Sequence, residues 1–106
     1  MNKNYGGVIW TNHSIGRMSE REIRQSDAWA TWRNPDQSKY AKARGAWTYY
    51  KVIGRQRIEV VAKKNENGEW IILSVWSRRI SGVSGGRTGQ NFSVLGLLKK
   101  LFVFLL

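Results

Sequence analysis

The stretch AWTYYKVIGRQRIEVVAKKNENGEWIILSVWSR, residues 46–78, decides the fold. It divides into three runs rich in β-branched and aromatic residues, 47–53, 57–63 and 70–78, separated by turn chemistry. Gly54 opens the first turn, and Asn65-Glu66-Asn67-Gly68 closes the second, Asn-Gly being a strong hairpin signal. Successive side chains of a strand point to opposite faces. One face then collects Tyr50, Val52, Ile58, Val60, Ala62, Ile71, Leu73 and Val75, nearly all hydrocarbon, and is expected to meet helices. The other collects Trp47, Tyr49, Lys51, Arg57, Glu59, Lys63, Trp70, Ser74 and Trp76. Two readings of that second face stay open. Its interleaved cations and rings suit phosphates and splayed bases, or its aromatics form a second small core under the C-terminal segment.

Upstream lie the helices that would cover the apolar face. Val8, Ile9 and Trp10 fit a short first strand, after a polar, glycine-containing start (1–7) expected to be loose. Thr11, Asn12 and Ser14 supply cap chemistry for a helix over 12–22, with Gly16 a weak point inside it. Ser26 and Asp27 cap a second helix through Ala28, Trp29, Ala30 and Trp32, which Asn34-Pro35 ends. Residues 36–45 read as a polar, basic connection with no assigned structure. The expected class is α+β: two N-terminal helices packed on one face of a three- to four-stranded antiparallel sheet.

Downstream of this domain (1–80), SGVSGGRTGQN (81–91) reads as a flexible linker, and FSVLGLLKKLFVFLL (92–106) is abruptly apolar. Those fifteen residues fall short of the roughly 20 a spanning helix needs, and Lys99-Lys100 interrupts them. The segment would return onto the domain, dock a partner or a dimer mate, or lie in a membrane interface. Length and lysines weigh against the membrane.

Charge narrows the partner classes. Against 18 Lys and Arg stand 7 Asp and Glu in 106 residues, a formal charge of +11 and a sequence pI near 10.6. A polyanion is the natural counterpart: nucleic acid, an anionic membrane surface or an acidic protein. The basic residues spread from Lys3 to Lys100 without a block, which marks a basic domain and not a basic tail. Zero cysteines exclude disulfides, thiolate zinc sites and cysteine nucleophiles, and a single histidine leaves no credible transition-metal cluster. No cofactor is expected. The start MNKNYGGVIW has no apolar stretch of signal-peptide length, so a cytoplasmic protein is expected.

Chemistry concentrates in TNHSIGRMSEREI, residues 11–23. His13 is the only histidine, and spacings of four align it with Arg17 and Arg21 on one helix face. An imidazole beside two guanidinium groups can take a proton and hold a phosphate. The plainer reading is that His13 is a cap or surface residue and the arginine row a solvated face.

The pattern His13-x-x-x-Arg17-Met18-x-x-Arg21-x-Ile23, then Asn34-Pro35, Tyr50-Lys51-x-Ile53-Gly54 and a hairpin ending Val75-Trp76 resembles a small family of bacterial domains of unknown function. That family is placed with the RelE-like and barnase-like toxin nucleases. The resemblance covers residues 8–77, and its helix motif is the distinctive part. Where the family commonly has glycine before the isoleucine, this chain has Glu22, and the linker and apolar segment lie outside the pattern. The resemblance implies a metal-independent ribonuclease, the toxin half of a toxin–antitoxin pair, with RNA, free or ribosome-bound, and an acidic antitoxin as partners. Carried over by position, it implies His13, Arg17, Arg21 and Lys51 as catalytic residues, with Ser74 on the last strand. Trp47, Tyr49, Arg57, Lys63, Trp70 and Trp76 would bind RNA.

Cleavage without a metal uses the RNA 2′-hydroxyl against the adjacent phosphate; a base takes its proton and cations stabilise the growing charge. An imidazole, with an ordinary pKa of about 6.5, suits that role near neutrality. Arg17, Arg21 and Lys51 would hold the phosphate, and Lys51 or Tyr49 would protonate the leaving oxygen. The other class is a non-catalytic RNA- or ribosome-binding module on the same face. A third is an interaction protein acting through the C-terminal segment on a membrane or partner.

Overall fold

A computed structural model describes residues 1–80. The linker expected at 81–91 and the apolar segment 92–106 lie outside the described residues. In chain order the elements are β1 (Ile9–Trp10), α1 (Asn12–Glu20), α2 (Gln25–Arg33), β2 (Gln37–Ala41), β3 (Ala46–Ile53), β4 (Gln56–Lys64) and β5 (Trp70–Arg79). The class is α+β as expected, but the sheet is larger than the expected three to four strands. It has five, in the order β1-β5-β4-β3-β2, and is mixed, because β1 pairs with β5 in parallel.

The extra strand, β2, comes from the stretch read as an unstructured connection. Its sequence, QSKYA, carries no hydrophobic alternation, because β2 is an edge strand whose first four side chains are all exposed. Backbone pairing with β3 alone builds it. The expected loose start is also held down. The Trp10 indole donates to the Tyr5 carbonyl at 2.8 Å, and the Trp29 indole donates to the Gly6 carbonyl at 3.0 Å. Gly6 has a φ of 70°, and a Cβ there would run into the Trp29 ring, so the turn requires glycine on both counts.

Helix α1 starts as its cap chemistry dictates. Thr11 Oγ1 accepts from the Ser14 amide at 3.1 Å and donates to the Ile72 carbonyl at 2.9 Å, tying the cap to β5. The helix ends in a Schellman turn. The Ile23 amide donates to the Met18 carbonyl at 2.8 Å and the Glu22 amide to the Ser19 carbonyl at 3.3 Å. Glu22 occupies the left-handed position of that turn, with φ 55°. Beyond its C-terminus, Ile23 is buried with Met18 in the core, as such a turn favours.

The core joins Val8, Trp10, Met18, Ile23 and Ala28 to one face of the sheet, formed by Ile58, Val60, Ala62, Ile72 and Val75. Each fully buried aliphatic chain contributes about 1.5–3 kcal/mol relative to exposure. β4 faces as its alternation predicts. β3 does not. Trp47, Tyr49, Lys51 and Ile53 pair with Ala62, Val60, Ile58 and Gln56 and share their face, while Tyr50 and Val52 pair with Glu59 and Arg57 on the opposite, outer face. Both halves of this strand are equally apolar, and Lys51 argued for the wrong phase. On the helix side its amine reaches the Asn34 carbonyl at 2.8 Å and Asp36 at 3.6 Å, so the charge is satisfied there.

β5 changes phase partway along. Val61 pairs with Ser74 but Ala62 pairs with Ile72, so Leu73 is an extra residue in a β-bulge. After the bulge Val75 points inward and Ser74 and Trp76 outward, as expected. Before it the order inverts: Trp70 and Ile72 point inward and Ile71 outward. A one-residue offset moves every side chain to the other face.

Candidate functional site

Of the eleven residues the sequence nominated, the structure divides the rings and cations between two faces. Trp47, Tyr49 and Trp70 lie on the helix side, in a run of rings from Tyr40 on the edge strand to Trp32 on α2. Trp47 stacks on Tyr49 at 6.1 Å, while Tyr49 and Trp32 both meet Trp70 edge-on, at 6.2 and 6.0 Å. Those rings pack on one another, and Trp32, Tyr49 and Trp70 pack on the core, which departs from the expected outward platform. Lys51 is in the helix-side network with Asn34 and Asp36 described above, away from the arginines of α1. The Asp36 carboxylate also accepts from the Val52 amide at 2.9 Å, and that bond, with Lys51 beside it, holds its pKa below the ordinary value.

Arg57, Lys63, Ser74 and Trp76 remain on the outer face, and α1 delivers Arg17 and Arg21 to it. β1 covers only Ile71 and Ile72 of β5, and α1 runs beside the rest of that strand. From there Arg21 donates to the Ser77 carbonyl at 3.2 Å and lays its guanidinium carbon 3.2 Å from the centroid of Trp76. Arg17 stands 5.6 Å from the same ring and pairs with Glu20 at 3.2 Å. The expected Arg17–Arg21 row is therefore a pair of cations facing one indole. A shallow polar cleft of about 370 Å³, lined by Glu20, Arg21, Gln56, Ser77 and Arg79, opens beside it.

Trp76 continues into a row across the sheet, because Glu59 pairs with Trp76 on one side and Tyr50 on the other, and Tyr50 with Gln37. The next row holds Arg57 paired with Arg78. Cross-strand neighbours of this kind have Cβ atoms about 4.5–5.5 Å apart. Arg57 lies over the Tyr50 ring at 4.6 Å and donates to Gln37 at 3.3 Å. The outer face thus carries Glu59 among Tyr50, Trp76, Arg57 and Arg78, with Arg21 and Arg17 at its rim.

Polar atoms on this face are buried without partners. Thr48 Oγ1, Glu59 Oε2, Arg57 Nε and Arg78 Nε have no hydrogen-bond partner among the described residues, and all four side chains point to this side of the sheet. Burial pushes the Glu59 carboxyl above the ordinary carboxylate range, against the pull of Arg57 and Arg78. Tyr50 is pushed up by burial and by Glu59, partly offset by Arg57. In native proteins few buried polar groups lack partners, so four on one face single it out as the candidate site.

His13 is exposed in the first turn of α1, four residues before Arg17, and makes no hydrogen bond or ion pair among the described residues. No contact ties it to Trp76 or Glu59. Sequence reasoning passed over Glu59 and Arg78 as candidate site residues. The one signal for Glu59 was a lone acid among the cations of an otherwise basic face. Among the described residues no group of three His, Cys, Asp or Glu could hold a metal ion, and no helix is long and apolar enough to cross a membrane. Compared with family models, curated proteins and solved structures, the chain matches none.

Proposed function

We propose that the outer face binds RNA and cleaves it without a metal, by attack of the 2′-hydroxyl on the adjacent phosphate. The observation that carries this reading is the gathering of four guanidinium groups, Arg17, Arg21, Arg57 and Arg78, around the Trp76–Glu59–Tyr50 row. Guanidinium groups are planar, permanently charged and matched to phosphate oxygens. Donors already held by the sheet and helix stabilise the charge that grows on a phosphorane without reorganising. Trp76 gives a splayed base a ring to stack on, worth about 1–3 kcal/mol. The rest of the chain's charge, +11 in all, draws the polyanion in. An acidic protein partner, such as an antitoxin, would compete for the same cations.

The test is cleavage and binding of a single-stranded oligoribonucleotide by the purified full chain. Cleavage yields a 2′,3′-cyclic phosphate and a 5′-hydroxyl, and chelator leaves the rate unchanged. Affinity falls steeply as salt rises, and Trp76→Ala weakens binding about 5- to 100-fold, the loss of one stacked base. Binding with these properties but no cut, with or without ribosomes, makes the protein a binding module. A salt-independent or absent interaction removes both readings.

A further inference from the structure

We infer that residues 92–106 of the same chain dock across the outer face of the sheet and shield it from solvent and from RNA. The docking stands on the fold alone, and its consequence for RNA rests on the reading above.

Burial argues first. Both helices pack toward the other side of the sheet, and among the described elements only α1 borders the outer face, at the β5 edge. Yet Ala46 and Thr48, which project from β3 to the outer side, are 3% and 1% exposed. Among the described residues Ala46 is the one buried apolar side chain that takes no part in the core cluster. At the far end of the same strand and on the same face, Val52 is open to water. The cover is therefore local.

Its floor is visible in the register. Thr48 pairs with Val61 and Val61 with Ser74, a row of small side chains sunk between the Tyr50–Glu59–Trp76 row and the Lys63–Ile71 pair. The Thr48 hydroxyl projects into this trough, is buried, and has no hydrogen-bond partner. Buried hydroxyls are seldom left unpartnered, and residues 1–80 offer none.

Composition and reach identify the occupant. Eleven of the fifteen residues 92–106 are Leu, Val or Phe, which favours their burial. On the helix side the sheet is already filled by α1 and α2, so the outer trough is the sheet surface left for them. β5 ends at Arg79, and the Ile80 amide donates to the Arg55 carbonyl at 2.7 Å, at the Val52 end of the sheet. Thr48 lies four residues from Val52, about 14 Å along an antiparallel strand. The stretch 81–91 can reach about 36 Å. Such a tether holds the segment near its own sheet at roughly millimolar effective concentration, which favours it over a second copy. Docked there, it lies beside Tyr50, Glu59 and Trp76, and RNA reaches that row only by displacing it.

The chain has no cysteine, so one introduced thiol reports on one place. The experiment labels the full chain with a polar maleimide at Thr48→Cys and Ser74→Cys on the floor, and at Val52→Cys at the open end. The floor thiols react about 10- to 100-fold more slowly, because labelling waits on local release of the segment. A benzophenone carried on Lys39→Cys, exposed beside Thr48, cross-links under light to residues 92–106 in a product of monomer mass. The combined variant Leu97→Asn, Leu98→Asn, Leu101→Asn and Phe102→Asn keeps the charge, frees the floor thiols and tightens binding of an oligoribonucleotide. Equal labelling at all three positions overturns the inference. So do cross-links confined to residues 1–80, and protection that grows with protein concentration, the mark of a second copy. The cross-link decides the matter if the Asn variant fails to fold. Freed floor thiols with no gain in RNA binding uphold the docking and remove the outer face as the RNA site.

Discussion

The guanidinium of Arg21 lies against the Trp76 ring, 3.2 Å from guanidinium carbon to ring centroid, while its Nη1 donates to the Ser77 carbonyl. One side chain thereby fastens α1 to the edge of β5 and brings a cation from the helix to the outer face. Cation–π contacts contribute about 0.5–2 kcal/mol depending on desolvation. Arg21→Lys keeps the charge but loses the planar stack. We expect it to lower stability by about 1 kcal/mol and to weaken RNA binding, as read by chemical denaturation and by titration with labelled RNA. An unchanged melt and unchanged affinity would mean the stack contributes nothing.

Trp70 and Trp76, read alike in the sequence, should behave oppositely. Trp70 packs between Trp32 and Tyr49 beside the core, so Trp70→Ala should lose about 2–4 kcal/mol of stability, near the low end for a truncated core aromatic. Trp76→Ala should lose only about 1 kcal/mol, the worth of its contact with Arg21, yet bind RNA less tightly. Equal losses of stability in both variants would contradict the two-face assignment.

Glu22 holds a left-handed backbone, φ 55°, at the end of α1. That conformation costs a side chain about 1–2 kcal/mol, part of which glycine returns through its freer unfolded state. Glu22→Gly should therefore stabilise the fold by about 0.5–1 kcal/mol in a denaturant titration. A destabilised variant would show that the Glu22 side chain contributes more than its backbone costs.

Glu59 links stability to pH with a definite sign. Its folded pKa is raised, so the folded state holds the proton to higher pH than the unfolded chain does. Its contribution is favourable below the ordinary carboxylate pKa and is lost as pH rises through the raised value. Glu59→Gln should melt at a higher temperature than wild type at pH 7, and the gap should close near pH 4. A lower melting temperature at pH 7 would mean that attraction to Arg57 and Arg78 outweighs burial.

Lys51 donates to the Asn34 carbonyl and pairs with Asp36, fixing the chain where α2 gives way to β2. Lys51→Ala should cost about 1 kcal/mol, the worth of a half-exposed charged hydrogen bond, and leave the rate of RNA cleavage unchanged. A loss of turnover at unchanged stability would return Lys51 to the catalytic role read from the sequence.

Much of this fold was legible in short-range chemistry. The cap at Thr11, the stop at Asn34-Pro35 and the hairpin turn at Asn67-Gly68 are local, and local chemistry sets where elements begin and end. The facing of β4 was legible too, because Arg57, Glu59 and Lys63 mark the face opposite Ile58, Val60 and Ala62, with only Val61 apolar on the outer side. Charge and the spacing of Arg17 and Arg21 also belonged to the chain alone. What needed the tertiary structure was everything set by pairing register. The bulge at Leu73 reverses the facing of Trp70 relative to Trp76, and no local signal marks it. The phase of β3 turned on whether Lys51 would find a partner on the helix side, and Asn34 and Asp36 supply one from elsewhere in the chain. β2 exists only because β3 offers it a ladder. Glu59 became a candidate in the same way: three strands and a helix had to assemble before its carboxylate stood among arginines, half-buried and unpaired. Propensity acts over a few residues, but which groups share a face is decided by long-range contacts.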